Sequence, residues 1–310
     1  MTSVVAKYLV ERAGVQDASG DKHLSYLVRS LNQQVEGFQQ MGPGFGQVID
    51  DSLLRTRKSD TVFIMGSGPS INSLSSAQFE EIGLNDSIGF NFWPAHEVVP
   101  THYVLQLPRA GAYRESLIEL LMLRQDDYGT SEVMVRGDHT FRDDAFHQMG
   151  PRLIQNRKLW YLPELAIHSQ VQIDPKDLIE FFWFLGFLEH GTVSRAVPKW
   201  RGTLGLILSL AYQMGYTNIV LCGIDMNDSS HFYDDPLYRD RFPGLSLPEP
   251  GASNIDTFES VGYSKNTVSR YVAEFARFAY ERSGTQLFLA SPGSRLEGII
   301  PDWQFGGTGS

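Results

Sequence analysis

The chain has 310 residues, of which 42% are hydrophobic and 20% are charged, and its formal net charge at pH 7 is −10. A chain of this length can bury a substantial core in one large domain or in two small ones. The acidic balance argues against a nucleic-acid partner, because a polyanion is bound by concentrated Lys and Arg, and the longest basic run is RTRK at 55–58.

Cys222 is the only cysteine, so no disulfide can form within the chain, and its apolar context NIVLCG predicts a buried, inert thiol. No stretch approaches the ~20 apolar residues that span a bilayer. The first residues, MTSVVAKYLVERAG, carry charges where a signal peptide has its apolar core. We therefore expect a cytoplasmic protein, either free or peripheral to the inner membrane.

Residues 1–58 are polar, with apolar positions at helical spacing in 23–38, and are predicted to form an N-terminal helical extension. The main domain is predicted over 59–305, with a flexible tail at 306–310. It opens with TVFIM at 61–65, a buried strand that breaks into GSGPS at 66–70. Two glycines and a proline in this place are typical of a loop whose backbone N–H groups approach an anionic ligand.

Helix and strand patterns then alternate along the chain. They comprise a helix capped by Ser73, strands at 86–91, 101–106, 131–136 and 158–162, helices at 112–124 and 141–148, an apolar helix opened by Asp174-Pro175, a helix at 203–214, a strand at 218–223, a helix at 265–282 and a strand at 286–290. This alternation predicts an α/β fold with a mostly parallel sheet flanked by helices. The segments around 151–200 and 226–262 break the alternation and are predicted to be lid-like insertions.

GSGPS lacks the Lys-Ser/Thr pair of a P-loop, and Ile71 stands where a dinucleotide fingerprint has its third glycine, so an NAD enzyme is disfavoured. The loop can seat a phosphate or a ribose, with a plain turn as the alternative. A second motif, GIDMN at 223–227, follows a very apolar strand at the edge where open parallel sheets bind ligands. Asp225 can serve there as a nucleophile, a ribose ligand or a base, or can simply cap the next turn.

Three further motifs carry polar residues. HFYDD at 231–235 has one histidine and two adjacent acids, which is not the spacing of a zinc site, and no metal is predicted. Arg201, in KWRGT at 199–203, enters a helix N-terminus and suits a phosphate or carboxylate, with a surface salt bridge as the alternative. In GYSKN at 262–266, Ser264 is a candidate N-cap, while Tyr263 and Lys265 can face a cleft.

Taken in this order, the motifs from Thr61 to about Pro301 resemble those of the small bacterial sialyltransferases that modify lipooligosaccharide and, more distantly, the transferases of 3-deoxy-manno-octulosonic acid (Kdo). The resemblance implies a single Rossmann-like domain with a lid and a CMP-activated sugar acid as donor, without a separate cofactor. It also implies a role in lipopolysaccharide or capsule biosynthesis, with an oligosaccharide or lipid-linked glycan as acceptor.

The family's nucleotide contacts and its first leaving-group tyrosine correspond to Gly66, Ser67, Gly68, Pro69, Ser70, Asn91, Gln106, Arg201, Thr203, Asn227, Ser264 and Lys265. Ser67 replaces the asparagine of the family's G-N-G-P-S loop. Of the two tyrosines that assist the leaving phosphate, the first is replaced by Asn227 and the second corresponds to Tyr233.

The largest departure from the family is Tyr263, which stands where G-H-S-K-N has the histidine that acts as general base. Tyrosine, with an ordinary pKa near ~10, is a poor base at neutral pH. Either an activated Tyr263 drives an inverting displacement, or Asp225 forms a glycosyl-enzyme intermediate in a retaining reaction. The resemblance to the retaining Kdo transferases around GID and FYDD favours the second route. Tyr233 or His231 would assist the leaving CMP, and Arg201 would compensate its charge.

The sequence thus predicts a glycosyltransferase that moves a 2-keto-3-deoxy sugar acid, Kdo ahead of sialic acid, from a CMP donor to a cell-surface glycan. The alternative from another class is a non-catalytic nucleotide- or glycan-binding module, because the family's histidine and one tyrosine are missing. A pyrophosphokinase-like nucleotide enzyme is a third option. The oligomeric state is left open, with a homo-oligomer among the options.

Overall fold

The structure, a computed structural model, describes residues 46–108, 111–136, 159–167, 174–200, 202–227, 230–248 and 267–306. The helices predicted at 23–38 and 141–148 lie outside the described residues. So do four candidate site residues, namely Arg201, Tyr263, Ser264 and Lys265.

Ten strands are present in the described residues, and every pairing between them is parallel. They are β1 (Gln47–Val48), β2 (Thr61–Met65), β3 (Asp86–Phe90), β4 (His102–Leu105), β5 (Glu132–Arg136), β6 (Leu159–Leu162), β7 (Glu164–Ile167), β8 (Val197–Trp200), β9 (Asn218–Cys222) and β10 (Gln286–Leu289). Eight of them form one sheet in the order β1-β6-β5-β4-β3-β2-β9-β10, and β7 pairs with β8 in a small second sheet. The predicted α/β fold with a mostly parallel sheet is confirmed.

Six α-helices flank these strands in the described part of the chain. They are α1 (Ser76–Gly83), α2 (Ala112–Leu123), α3 (Pro175–Phe184), α4 (Thr203–Gln213), α5 (Pro236–Arg241) and α6 (Val268–Ser283). Alternate side chains of β2 enter two separate cores: Val62 and Ile64 pack with α3, α4 and α6, whereas Phe63 and Met65 pack with α1, α2 and α5. Both faces of the sheet are therefore covered, as the uniformly apolar strands require.

The strand order reverses between β2 and β9. From β2 the chain continues through β3, β4 and β5 on one side, and from β9 it continues to β10 on the other. The buried side chains of α1, which follows β2, belong to one core, and those of α6, which follows β9, belong to the other. The connection after β9 first contributes α5 to the core of α1 and only then reaches α6 in the other core. The loops after β2 and β9 start side by side at the carboxyl edge, where the strand order reverses and open α/β sheets bind ligands.

The start of α1 differs from the prediction. Ser73 lies in a 3₁₀ helix, Pro69–Ser73, and α1 is capped instead by Ser75, whose hydroxyl accepts from the backbone N–H of Gln78. The Gln78 side chain accepts in return from the backbone N–H of Ser75 at 2.8 Å. This reciprocal capping box needs a Glu or Gln three residues after the cap, and Ser75 has one where Ser73 does not.

Other differences concern short elements. The predicted apolar helix begins where Asp174-Pro175 indicated, but it ends at Phe184, before a turn in which Gly186 has φ 74°. The segment predicted as a long polar loop contains a 3₁₀ helix, Phe232–Asp234, and α5. Strand β1 lies before residue 59, within the predicted N-terminal extension.

Candidate functional site

The loops after β2 and β9 meet at the point where the strand order reverses. The backbone N–H of Gly66 donates to the Cys222 carbonyl at 2.7 Å, and that of Gly68 donates to the Gly223 carbonyl at 2.8 Å. A Cβ atom at Gly66 would lie 2.4 Å from the Gly223 oxygen, and one at Gly68 would lie 2.3 Å from Asp225 Oδ2. The glycines of GSGPS are therefore required by contact between the two loops.

Asp225 joins the two loops through its side chain. Its Oδ2 accepts from the backbone N–H of Ser70 at 3.0 Å, and its Oδ1 accepts from the Ser70 hydroxyl. Ser70 is the second residue of the 3₁₀ helix whose N-cap, Gly68, has no side chain to offer. Asp225 is only 6% exposed and thus caps a turn. The turn follows β2, whereas Asp225 itself follows β9.

A cleft of about 300 Å³ opens beside this contact. Its lining comes from the three loops that follow β2, β9 and β10, and comprises Pro69, Ser70, Asp225, Asn227, Pro292 and Gly293. The Asn227 side-chain amide donates to the Gly293 carbonyl, and the backbone N–H of Arg295 donates to the Asp225 carbonyl at 2.9 Å. The third loop was missed from the sequence, although Pro292-Gly293 directly after an apolar strand is a signal for it.

The polar groups of the cleft are a carboxylate, a hydroxyl and a side-chain amide. The described residues that line it include no cationic side chain. Carboxylate and amide oxygens accept hydrogen bonds from hydroxyl and amino groups, and a hydroxyl can both donate and accept. The cleft is thus suited to a ligand rich in hydroxyls, such as a ribose or a sugar.

Strained backbone lies at the same edge of the sheet. Among the non-glycine residues that the structure describes, positive φ occurs at Asn91 (54°) and Met226 (59°), each shortly after the end of a strand. Such conformations are uncommon and are concentrated at functional sites. Met226 separates Asp225 from Asn227 on the rim of the cleft, whereas Asn91 and Gln106, both half-buried, are not among the described lining residues.

His231 and Tyr233 lie on a segment that is bonded to the GSGPS loop. The backbone N–H of Phe232 donates to the Ser67 carbonyl at 2.9 Å, and the Asn72 amide donates to the Phe232 carbonyl at 3.0 Å. The rings of His231 and Tyr233 stack at 4.7 Å, and they are only 5% and 2% exposed. Neither residue is among the described lining of the cleft.

Burial controls the protonation of both rings. It lowers the pKa of His231, although the nearby Asp234 carboxylate and a backbone hydrogen bond with Ser67 act in the opposite direction. It also raises the pKa of Tyr233, and the charge of Asp234 adds to that effect. Both side chains are therefore held in their neutral forms near pH 7.

Thr203 is the first residue of α4, and its hydroxyl oxygen accepts from Arg136 Nη1 at 2.9 Å. A helix that precedes a parallel strand starts at the carboxyl edge of the sheet, so Thr203 shares this edge with the cleft. Of the predicted site residues, the structure thus brings together Gly66–Ser70, Asp225 and Asn227, and it places Thr203, Asn91 and Gln106 elsewhere on the same edge.

None of the protein-family models matches the chain, and the comparison with curated proteins gives no match. Among solved structures, the chain is similar to the sialyltransferase CstII from Campylobacter jejuni, in complex with a substrate analogue, CMP-3FNeuAc. The identity is 16% and the TM-score is 0.39, with 78% of this chain and 85% of that chain covered. A similarity of this degree carries no argument on function, which rests on the residues of the site.

The described residues contain no helix that is both long and apolar enough to cross a membrane. They also contain no group of three or more His, Cys, Asp or Glu side chains arranged to hold a metal ion.

Proposed function

We propose that the protein is a glycosyltransferase that moves a 2-keto-3-deoxy sugar acid, Kdo ahead of sialic acid, from a CMP donor to an oligosaccharide or lipid-linked glycan. The order of motifs along the sequence supports this donor class. Because the donor is itself activated, the proposal requires no further cofactor.

The observation that carries the proposal is the cleft where the strand order reverses between β2 and β9. Its polar groups belong to Ser70, Asp225 and Asn227. A nucleotide sugar offers hydroxyls on its ribose and on its sugar, and these are the groups that such a lining binds. We assign the donor phosphate to the first turn of α4 instead, where Thr203 is preceded by Arg201. A guanidinium and free helix N–H groups suit a phosphate there.

Within this proposal, Asp225 binds the donor and is not the attacking group. Both of its carboxylate oxygens already accept hydrogen bonds from Ser70. Hydrogen bonds of this kind stabilise the ionised form and so make the oxygens weaker nucleophiles. We therefore favour an inverting displacement with Tyr263 as base over the retaining route through Asp225.

The test is calorimetric binding of CMP to the purified chain, followed by measurement of CMP released from CMP-Kdo and CMP-sialic acid. We expect saturable CMP binding and slow release from at least one donor. Failure of the wild-type chain to bind CMP would contradict the proposal.

Asp225→Asn separates the two roles of Asp225. Loss of a binding contact weakens donor binding about tenfold. Loss of a nucleophile leaves binding intact and lowers CMP release at saturating donor by at least about a thousandfold. Asp235→Asn is the matched control, because Asp235 caps α5 through the backbone N–H of Leu237 at 2.9 Å and is not among the described residues that line the cleft.

A non-catalytic nucleotide-binding module is a second candidate, and the burial of His231 and Tyr233 favours it. Neither ring lies in the described lining of the cleft, where it would have to protonate a leaving group. This candidate predicts CMP binding without CMP release from either donor. Release above the uncatalysed rate in the wild-type chain, at a rate that saturates with donor concentration, would exclude it.

A further inference from the structure

A buried cluster of charged side chains lies at the carboxyl edge of the sheet, next to α4. Arg136, the last residue of β5, is 1% exposed, and its Nε donates to Glu164 Oε1 on β7. Its Nη1 donates to Thr203 Oγ1 at 2.9 Å. Lys199 of β8 donates to the other oxygen of Glu164 at 2.9 Å. The cluster ties β5 to the small β7/β8 sheet and to the first residue of α4.

The contacts of this cluster join residues that are far apart in the chain. Arg136 is 28 residues from Glu164 and 67 residues from Thr203. Burial of a guanidinium is unfavourable unless the group is paired and hydrogen-bonded, so its position at this depth depends on these partners. In the sequence SEVMVR, an arginine ends an apolar strand. This position indicates that the guanidinium needs a paired, hydrogen-bonded partner.

We propose that Arg136 is a positioning residue, which fixes the Thr203 hydroxyl and with it the first turn of α4 for the donor. One planar guanidinium holds Glu164 and Thr203 at the same time, so the two partners are kept in a fixed mutual geometry. Because Thr203 Oγ1 accepts from Arg136, the hydroxyl hydrogen is the group that Thr203 offers to a ligand. The inference rests on the proposed function for the identity of that ligand.

Glu164 keeps the two cations of the cluster together. The pKa of Lys199 is lowered first by burial and then by the charge of Arg136, while Glu164 acts in the opposite direction. The Glu164 carboxylate, bonded to both side chains, thus offsets the repulsion between the two cations. Lys cannot replace Arg136, because a single ammonium has no fork with which to span both partners.

The experiment combines two substitutions, Arg136→Lys and Thr203→Val, with CMP affinity as the first measurement. Each should weaken CMP binding about five- to tenfold, the loss expected for one hydrogen bond. The double variant should bind no more than about twofold more weakly than either single variant, because both remove the same contact. Thr203→Ser, which keeps the hydroxyl, should lose less CMP affinity than Thr203→Val.

Two controls separate this role from a merely structural one. Arg277→Lys makes the same chemical change at an exposed ion pair on α6 and should leave CMP binding unchanged. A role in stability alone predicts a lower melting temperature for Arg136→Lys with wild-type CMP affinity. That result, or single-variant losses that multiply in the double variant, would overturn the proposal.

A measurement without ligand distinguishes failure of this inference from failure of the proposed function. The amides of Leu206 and Ile207 bond to the first carbonyls of α4, so their hydrogen exchange reports opening of its first turn. If the wild-type chain binds no CMP, the proposed function is wrong. In that case faster exchange at these amides in Arg136→Lys than in Arg277→Lys upholds the part of the inference that concerns the ordering of this turn by Arg136, and equal exchange overturns it.

Discussion

Position 68 is a glycine because the surrounding atoms leave no space for a Cβ atom. A Cβ atom there would meet Asp225 Oδ2 at 2.3 Å and the Gly223 carbonyl oxygen at 2.8 Å. Both contacts are shorter than real Cβ atoms show, and the carbonyl belongs to a backbone already bonded to Gly68. Gly68 is therefore needed for the Ser70–Asp225 contact itself, whichever ligand the cleft binds.

We expect Gly68→Ala to lower the free energy of unfolding by about 1–3 kcal/mol, because the two loops must separate to admit the methyl group. Gly83→Ala is the matched control: its Cβ would have nothing within 4 Å, and the residue lies within α1. That control should be neutral or up to about 1 kcal/mol more stable. Urea unfolding measures both, and equal stability of the two variants would contradict the expectation.

His96 is a second residue whose surroundings set a measurable property. Its ring is buried and stacks on Trp93 at 4.5 Å. The pKa of His96 is lowered from 6.5 to about 3, first by burial and then by the charges of Arg124 and Arg241. Between these two pKa values the unfolded chain binds a proton that the folded protein does not. Stability therefore falls as the pH drops through this window, by up to about 1.4 kcal/mol per pH unit.

His96→Phe should remove this contribution, because phenylalanine keeps an aromatic ring against Trp93 and does not titrate. We expect the variant to be less stable near pH 7, since the hydrogen bond from the backbone N–H of Val98 to His96 is lost. Its free energy of unfolding should nevertheless depend less steeply on pH between about pH 6 and pH 4. Urea titrations at several pH values test this, and parallel curves for the two proteins would refute it.

At the scale of elements, the start of α1 can be tested directly. Ser75→Ala removes the capping box and should cost about 0.5–2 kcal/mol of stability. Ser73→Ala removes only an exposed hydrogen bond to the Ser70 carbonyl and should cost less. Urea unfolding of both variants tests whether Ser75 is the N-cap of α1. A larger loss of stability for Ser73→Ala would instead support Ser73, the cap predicted from the sequence.

The elements that the sequence predicted well are those whose own residues decide their structure. β2, β5 and α4 are apolar runs bounded by breakers, and their predicted ranges agree with the structure to within a residue or two. By contrast, β1 has two residues and exists because it pairs with β6. Likewise, β7 and β8 pair with no other strand of the described residues, although about 30 residues of chain separate them, and no local pattern marks that pairing.

The candidate site also combines features that the local sequence predicts with features that it does not. Gly66–Ser70 and Asp225 were predicted because each follows an apolar strand at the carboxyl edge of the sheet. The bond between Ser70 and Asp225 was not predicted, since it joins residues 155 positions apart. Pro292 and Gly293 form a Pro-Gly signal shortly after an apolar strand, but their place in the cleft depends on contact between loops, such as the bond from Asn227 to the Gly293 carbonyl. The strand order determines which loops meet. That order depends on the whole sheet, so no local stretch of sequence predicts it.

At the scale of the whole molecule, the stretch that follows β10 returns to the sheet and closes its edge. The backbone N–H of Leu289 donates to the Pro301 carbonyl at 2.9 Å, and that of Trp303 donates to the Leu289 carbonyl at 2.7 Å. These bonds pair backbone groups of an edge strand that would otherwise face solvent. The loop of Pro292 and Gly293, one wall of the cleft, lies between β10 and this return.

Trp303 connects this return to the rest of the protein. Its ring packs edge-on against Phe63 of β2 at 5.8 Å and Phe288 of β10 at 5.1 Å, and its indole N–H donates to Glu81 of α1 at 3.1 Å. Because three elements share one side chain, we expect Trp303→Ala to destabilise the whole molecule by about 2–4 kcal/mol. Urea unfolding should show a single transition with an unchanged slope and a lower midpoint.

Trp303→Phe separates the ring contacts from the hydrogen bond to Glu81. It keeps an aromatic ring between Phe63 and Phe288 and loses the indole N–H, so about 1 kcal/mol of stability should be lost. Equal losses in the two variants would mean that the hydrogen bond alone holds the return in place. A changed slope in Trp303→Ala would instead show that the return unfolds separately. The wall of the cleft formed by Pro292 and Gly293 would then open without unfolding of the sheet.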